Sequence, residues 1–151
     1  MGLGYIGLPT AALLATKGYK VHGVDVKPEV VDTINKGMIH IVEPELDAFV
    51  KSAVQSGNLK ASLTPEPSDI FIITVPTPVM PNNDPDITFV INATLAIAPF
   101  VKKGNAVVLE STSPIGTTEK VVSLLKEKGV DTDNIHIAYS PERVLPGQTM
   151  R

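Results

Sequence analysis

Apolar residues along the chain fall into two alternating rhythms. Short runs rich in Val and Ile, "YKVHGVDV", "DIFIITV", "NAVVLEST" and "NIHIAYS", are separated by longer stretches with helical spacing. Strand-like runs alternating with helical patterns predict an α/β fold built on a parallel sheet. "LPTAALLATKG" reads as a helix with Pro9 in its first turn and Gly18 closing it, and "KPEVVDTINKG" repeats that punctuation with Pro28 and Gly37. Further helices are predicted over roughly 45–56 and 87–100, the second with Asp86 or Thr88 near its start as a cap. "TTEKVVSLLKEKG" is amphipathic, with Val121, Val122, Leu124 and Leu125 inward and Lys and Glu outward. A short strand is expected near 59–62, and "MIHIVEP" is expected as a loop. "DIFIITV" and "NAVVLEST" are continuous enough to read as buried strands.

The first helix follows "MGLGYIG", where Gly2, Gly4 and Gly7 stand in G-x-G-x-x-G spacing. In such a loop the first glycine allows a tight turn, the second lets backbone approach a pyrophosphate, and the third lets helix pack on strand. The helix then points its N-terminal amides at the phosphates. The pattern alone is weak, because glycines cluster in many turns. Here a helix, a strand and an acid at that strand's end follow in order. Asp25 lies about 20 residues beyond the loop, the position of a carboxylate that bonds the adenosine ribose hydroxyls. An acid there repels a 2′-phosphate, which favours NAD; Lys27 nearby keeps NADP as the alternative, and a solvated strand-end residue is the other reading of Asp25. Only Met1 remains of the strand that should precede the loop. In the doubly wound order that strand is central, and its loss leaves unpaired backbone on both neighbours. The expectation is therefore a Rossmann-type doubly wound parallel sheet with its first strand missing from a truncated chain, or a sheet that closes in some other way.

Two later strand ends carry hydroxyls. Thr77 in "VPTP" and Thr112 in "ESTSPIG" would sit at the ligand-bearing edge of an open α/β sheet, where they can contact a cofactor or position a water. Turn chemistry, with each hydroxyl bonding local backbone, is the alternative. The Pro-rich stretch from Pro76 to Pro85 reads as a βα loop rather than a linker because it follows a strand. In "YSPERVLPG", Glu142 would project into the crevice as a base and Arg143 could bind a phosphate or carboxylate, against the alternative of a surface ion pair. His22, His40 and His136 are dispersed and lack metal-ligand spacing, so no metal is expected. Glu43 and Glu45 flank Pro44 at a helix start, where carboxylates complement the helix dipole.

Composition narrows the picture further. A chain of 151 residues, 43% hydrophobic and 19% charged, suits one domain of ordinary globular character. A formal charge of −3 and few aromatics give no reason to expect nucleic acid or an anionic membrane as partner. No apolar run approaches the roughly 20 residues of a membrane span, and no basic n-region marks a signal peptide, so a cytoplasmic location is expected. The absence of cysteine excludes a thiolate nucleophile or cysteine-bound metal within this chain.

Taken in order, "GLGYIGLP", "GVDV", "IVEP", "VPTP", "ESTSPIG" and "SPERVLPG" resemble the N-terminal domain of the nucleotide-sugar dehydrogenases that oxidise UDP-glucose, GDP-mannose and UDP-N-acetylhexosamines. The resemblance covers essentially the whole chain. The "PERVLPG" form is most similar to members acting on UDP-N-acetyl-D-mannosamine; relatives acting on UDP-glucose usually carry an aromatic residue after the Glu and an acid where Pro146 stands. It implies an oxidoreductase of surface-polysaccharide biosynthesis that takes the sugar's primary alcohol to a carboxylate in two steps with two NAD. It places Tyr5 and Ile6 along the NAD, Asp25 on the adenosine ribose, and Thr77 and Thr112 on the nicotinamide side. It gives Glu142, with Thr112, the hydrolytic step, and puts Arg143 and Val144 on the UDP-sugar. The family's cysteine nucleophile and lysine lie in later domains, so the fragment alone is expected to be inactive, and the full-length protein to be a homodimer. A non-catalytic nucleotide-binding module, a dehydrogenase of another UDP-sugar such as UDP-N-acetylglucosamine or UDP-glucose, and a Rossmann dehydrogenase acting on hydroxy acids are the alternative readings.

Overall fold

The computed structural model describes residues 1–81 and 84–143, which form two compact units, Met1–Pro65 with Arg143, and Glu66–Glu142. In the first, helices α1 (Gly7–Thr16), α2 (Pro28–Asn35) and α3 (Leu46–Gln55) accompany strands β1 (Val21–Val24) and β2 (Leu59–Ser62). The strands pair in parallel, from Val21 opposite Leu59 to Val24 opposite Ser62. Small residues on α1 (Gly7, Ala11, Ala12, Ala15) are buried. They let the helix pack closely on α3, whose Leu46, Val50 and Ala53 share one core with Leu3, Leu8 and Ile34. Asn35, the last residue of α2, both donates to the Ala61 carbonyl and accepts from its amide, at 2.9 and 2.8 Å. Its amide side chain thereby stands in for a neighbouring strand at β2.

The second unit holds β3 (Ile70–Ile73), α4 (Thr88–Ile97), β4 (Ala106–Leu109), α5 (Thr117–Glu127) and β5 (His136–Tyr139), with short 3₁₀ turns at Ala98–Phe100 and Thr132–Asn134. Its sheet runs β3-β4-β5, all parallel, with Phe71 opposite Val107 and Ile73 opposite Leu109. Helices α4 and α5 pack on each other and on β3 and β5. These four apolar strand residues join Val90, Ile97, Val121 and Leu125 in the buried interior.

The predicted elements are all present, and two details differ. "DIFIITV" is not buried on both faces: Phe71 and Ile73 are buried, but Ile70 is 59% exposed and Ile72 half-buried. Within this unit α4 and α5 supply cover to one face of the sheet, so a continuous apolar run still alternates in burial. The helix expected to run to residue 100 is α-helical only to Ile97, and tightens to a 3₁₀ turn where Pro99 can no longer donate an amide. Asp86 is the working cap: its Oδ1 accepts from the Thr88 amide at 2.8 Å. Strand β1 pairs with β2 alone and β3 with β4 alone, and no strand joins the two sheets among the described residues.

Candidate functional site

In the first unit the glycine loop and the end of β1 are built together. Gly2 takes a φ of 91°, a conformation only glycine adopts without strain, and its amide donates to the Val24 carbonyl at 2.8 Å. Leu3 turns its side chain into the core, while its amide donates to Oδ2 of Asp25 at 3.0 Å; Oδ1 accepts from the Lys27 amide, also at 3.0 Å. A carboxylate offers about four lone-pair directions, and these bonds use two. Two remain, which matches the two O–H donors of a ribose diol.

The loop has room for phosphate as well. A Cβ placed on Gly4 would meet no protein atom within 4 Å, so that backbone is open to a ligand. Helix α1 has no side-chain cap, and its first bonded amide is that of Leu8, to Gly4. The amides of Tyr5, Ile6 and Gly7 have no protein acceptor among the described residues. Uncapped donors at the positive end of a helix dipole are the physical requirement for a pyrophosphate. Tyr5 is 46% exposed and Ile6 half-buried beside them. The residues present fit a dinucleotide.

In the second unit the loops after β3 and β4 are stapled to each other. Thr77 Oγ1 donates to the Thr112 carbonyl, and Ser111 Oγ donates to the Val75 carbonyl at 2.7 Å. The Thr77 hydroxyl proton is therefore committed to backbone, as turn chemistry required, and the oxygen keeps acceptor capacity only. The hydroxyl of exposed Thr112 has no protein partner among the described residues and can serve a ligand. After β3, Val79 bridges antiparallel to Pro85, and the Met80 and Asp86 amides donate to the Asp84 and Pro78 carbonyls, both at 2.8 Å. The chain here is a loop joining β3 to α4, as predicted. Gly116 ahead of α5 has a φ of 90°, which explains the glycine that ends "ESTSPIG".

Glu142 is half-buried beyond β5, and a second carboxyl stands near it. Glu110, at the end of β4, has its Oε2 buried without a hydrogen-bond partner. Burial pushes its pKa up, and the charge of Glu142 adds to that rise. Sequence reasoning gave Glu110 no role; the signal was its position between a buried strand and Thr112. Arg143 is exposed, and Val144 lies outside the described residues. Two further residues, read in the sequence as a dispersed histidine and a carboxylate at a helix start, had no site role there. Glu43 is a buried carboxylate at only 4% exposure. His40 lies near Asp25 and Lys27. Of the other histidines, His22 is satisfied between Ser62 Oγ and the Thr64 carbonyl, at 2.8 and 3.1 Å, and no metal-binding cluster occurs among the described residues. No described helix is long and apolar enough to cross a membrane.

Residues 1–151 match the family described as UDP-glucose/GDP-mannose dehydrogenase family, NAD binding domain. The chain belongs to that family. It is 52% identical over 159 residues to the UDP-N-acetyl-D-mannosamine dehydrogenase of Escherichia coli K12, covering 99% of this chain and 38% of the relative. It is 50% identical over 161 residues to an NDP-N-acetyl-D-galactosaminuronic acid dehydrogenase of Ralstonia nicotianae, again 38% of that protein's length. Among solved structures it superposes on the UDP-N-acetyl-mannosamine dehydrogenase of Staphylococcus aureus with a TM-score of 0.92 at 42% identity, covering 99% of this chain and 37% of that one. A ternary complex of GDP-mannose dehydrogenase from Pseudomonas aeruginosa follows at 0.89 and 28%, with 99% of this chain and 36% of that one covered. The family fold is thus shared, NAD is its cofactor, and the chain spans little more than a third of the length of these relatives.

Proposed function

We propose that this chain is the NAD-holding part of a dehydrogenase that oxidises the primary alcohol of UDP-N-acetyl-D-mannosamine to the uronic acid. The observation that carries the cofactor half is the open glycine loop whose Leu3 amide orients Asp25. The identity of 52% to a UDP-N-acetyl-D-mannosamine dehydrogenase supports the substrate. When bound, NAD would supply the hydride acceptor for each of the two oxidations of the sugar carbon, with one water providing the second carboxylate oxygen. Within this chain Gly2, Gly4, Tyr5, Ile6 and Gly7 cradle the pyrophosphate, and Asp25 accepts from the ribose hydroxyls. Thr77 and Thr112 face the nicotinamide. Glu142 takes a proton from the hydrolytic water, which the Thr112 hydroxyl helps to hold. Arg143 and Val144 contact the UDP-sugar. The chain has no cysteine, so a thiol that holds the aldehyde comes from outside these residues. A homodimeric, cytoplasmic full-length enzyme belongs to the same reading.

The test is an assay of the full-length protein with NAD and UDP-N-acetyl-D-mannosamine, UDP-N-acetylglucosamine and UDP-glucose in parallel. NADH formation at two per sugar with the first substrate supports the reading. Turnover of another UDP-sugar alone reassigns the substrate, and no NADH from any of them overturns the activity.

A further inference from the structure

The end of β4 carries a carboxyl that the proposed chemistry leaves unused. Glu110 is the first residue past the strand, and its amide donates to the Ile73 carbonyl of β3 at 2.9 Å. On the other side the Ser140 amide donates to the Leu109 carbonyl, also at 2.9 Å, which extends the pairing of Leu109 with Tyr139 by one residue. Glu110 is therefore level with Ser140 at the end of β5, on strands about 4.8 Å apart, and Glu142 follows Ser140 by two positions. The segment beyond Glu110 is fixed as well. The Ser111 amide donates to the same Ile73 carbonyl at 3.2 Å, and the Ser111 and Thr77 hydroxyls staple this loop to the one after β3. Both backbone amides beside the carboxyl are thus spent on β3, and its buried Oε2 has no hydrogen-bond partner among the described residues. A carboxylate oxygen withdrawn from solvent binds a proton more tightly than a hydrated one, and the charge of Glu142 adds to that affinity. Glu110, Thr112 and Glu142 stand at one edge of one sheet.

We propose that Glu110 is a positioning residue of the hydrolytic step, which pairs with Glu142 so that the two carboxyls hold one proton between them. The inference rests on the reading of Glu142 as the base for the water. Two carboxylates at one strand edge resist being charged together, so the first proton to arrive is held more tightly than either alone would hold it. Glu142 is thereby a stronger base than a lone surface glutamate. In the step itself the water oxygen bonds to the acyl carbon of the oxidised sugar, and one water proton passes to the carboxyl pair. The bond from that carbon to the thiol sulfur breaks with its electron pair going to sulfur, and the acid product releases its own proton to solvent. Glu110 touches neither the sugar nor the water in this scheme; it acts through Glu142.

The experiment follows NADH formation by the full-length enzyme with NAD and UDP-N-acetyl-D-mannosamine, in both the first turnover and the steady state. Wild type is compared with Glu110→Gln, Glu110→Asp and Glu142→Gln. Both oxidations precede hydrolysis, so Glu110→Gln should give a burst of about two NADH per site before turnover slows. Its kcat should fall by about 10-fold or more, short of the roughly 10²- to 10⁴-fold worth of a general base itself. KM should fall with it and leave kcat/KM close to that of wild type, because the earlier steps are untouched. Glu110→Asp keeps a carboxyl and should recover part of the rate. Wild-type turnover in Glu110→Gln overturns the pairing, and so does a burst lost in parallel with turnover, which marks a defect of the fold alone. Where Glu110→Gln does not fold, Glu110→Ala is read by the same burst and turnover. A Glu142→Gln enzyme that hydrolyses as wild type does overturns the reading of Glu142 as the base, and this inference with it. No NADH from wild type overturns the dehydrogenase reading beneath both.

Discussion

The amide of Leu3 donates to Oδ2 of Asp25 at 3.0 Å, across 22 positions of sequence. Leu3 is 2% exposed, so the donor is fixed by the core and cannot follow a wandering carboxylate. The Lys27 amide holds the other oxygen. Asp25 is therefore oriented before any ligand arrives, and little ordering remains to be done on binding. On the reading proposed above, removing it deletes two charge-assisted acceptors for the ribose. Asp25→Ala should weaken NAD by about 10- to 100-fold, from about 1.5–3 kcal/mol for hydrogen bonds to a charged group. Calorimetry on the folded variant checks this, and unchanged affinity would remove Asp25 from the cofactor site.

Two glycines separate the demands of binding from those of packing. At Gly4 an added Cβ meets nothing in the protein, so Gly4→Ala should leave the melting temperature nearly unchanged yet weaken NAD where backbone and pyrophosphate approach. At Gly23 an added Cβ would come within 2.8 and 3.0 Å of the Leu3 methyl carbons and 3.4 Å of its Cγ. Leu3 must shift within a packed core, at a cost of about 1–3 kcal/mol. Gly23→Ala should lower the denaturation midpoint and, by moving Leu3, also loosen its hold on Asp25. Equal melting temperatures for the two variants would contradict this division.

Glu45 is the only non-glycine among the described residues with a positive φ, at 67°. It precedes α3 and its side chain makes no capping bond to the helix. The left-handed conformation costs a residue with a Cβ about 1–3 kcal/mol, partly offset by the greater unfolded-state freedom of glycine. Glu45→Gly should therefore raise stability by about 0.5–1 kcal/mol in urea unfolding. A loss of stability would show that the carboxylate makes a compensating interaction.

Much of this arrangement was legible before any coordinates. Pro28 and Gly37 mark the two ends of α2, and the strand expected at 59–62 is β2. Local backbone chemistry decides such features, and local chemistry is written in short stretches of sequence. That the glycine loop and Asp25 are neighbours was also readable, because a helix, a strand and an acid at the strand's end follow the loop in order, and the Leu3 amide does reach Asp25. What could not be read depends on neighbours remote in sequence. Ile70 looked as buried as Phe71, since only the placement of α4 and α5 decides which face of β3 is covered. His40 looked like one of three scattered histidines until the fold brought Asp25 and Lys27 to it. Glu110 carried no warning in its residue type that one oxygen would be left dry.

That dry oxygen has a consequence for stability. The Glu110 pKa is raised above 4.5, first by burial and then by the charge of Glu142. A raised carboxyl pKa means that the folded state holds a proton that the unfolded chain has already released. Where the folded state binds more protons, stability falls with increasing pH, here from about the ordinary glutamate value up to the raised one. Asp86 acts in the opposite sense at lower pH. Hydrogen bonds from the side chain and amide of Thr88 lower its pKa below 3.8, so its contribution is lost only as the solution becomes strongly acidic. The two windows therefore do not overlap. Glu110→Gln removes the titration and keeps the shape, and any cost of its amide is the same at every pH. Melting temperatures measured from about pH 4.5 to about pH 7 should fall more in wild type than in the variant. Parallel curves would mean that the Glu110 carboxylate is as well solvated in the folded chain as in the unfolded one.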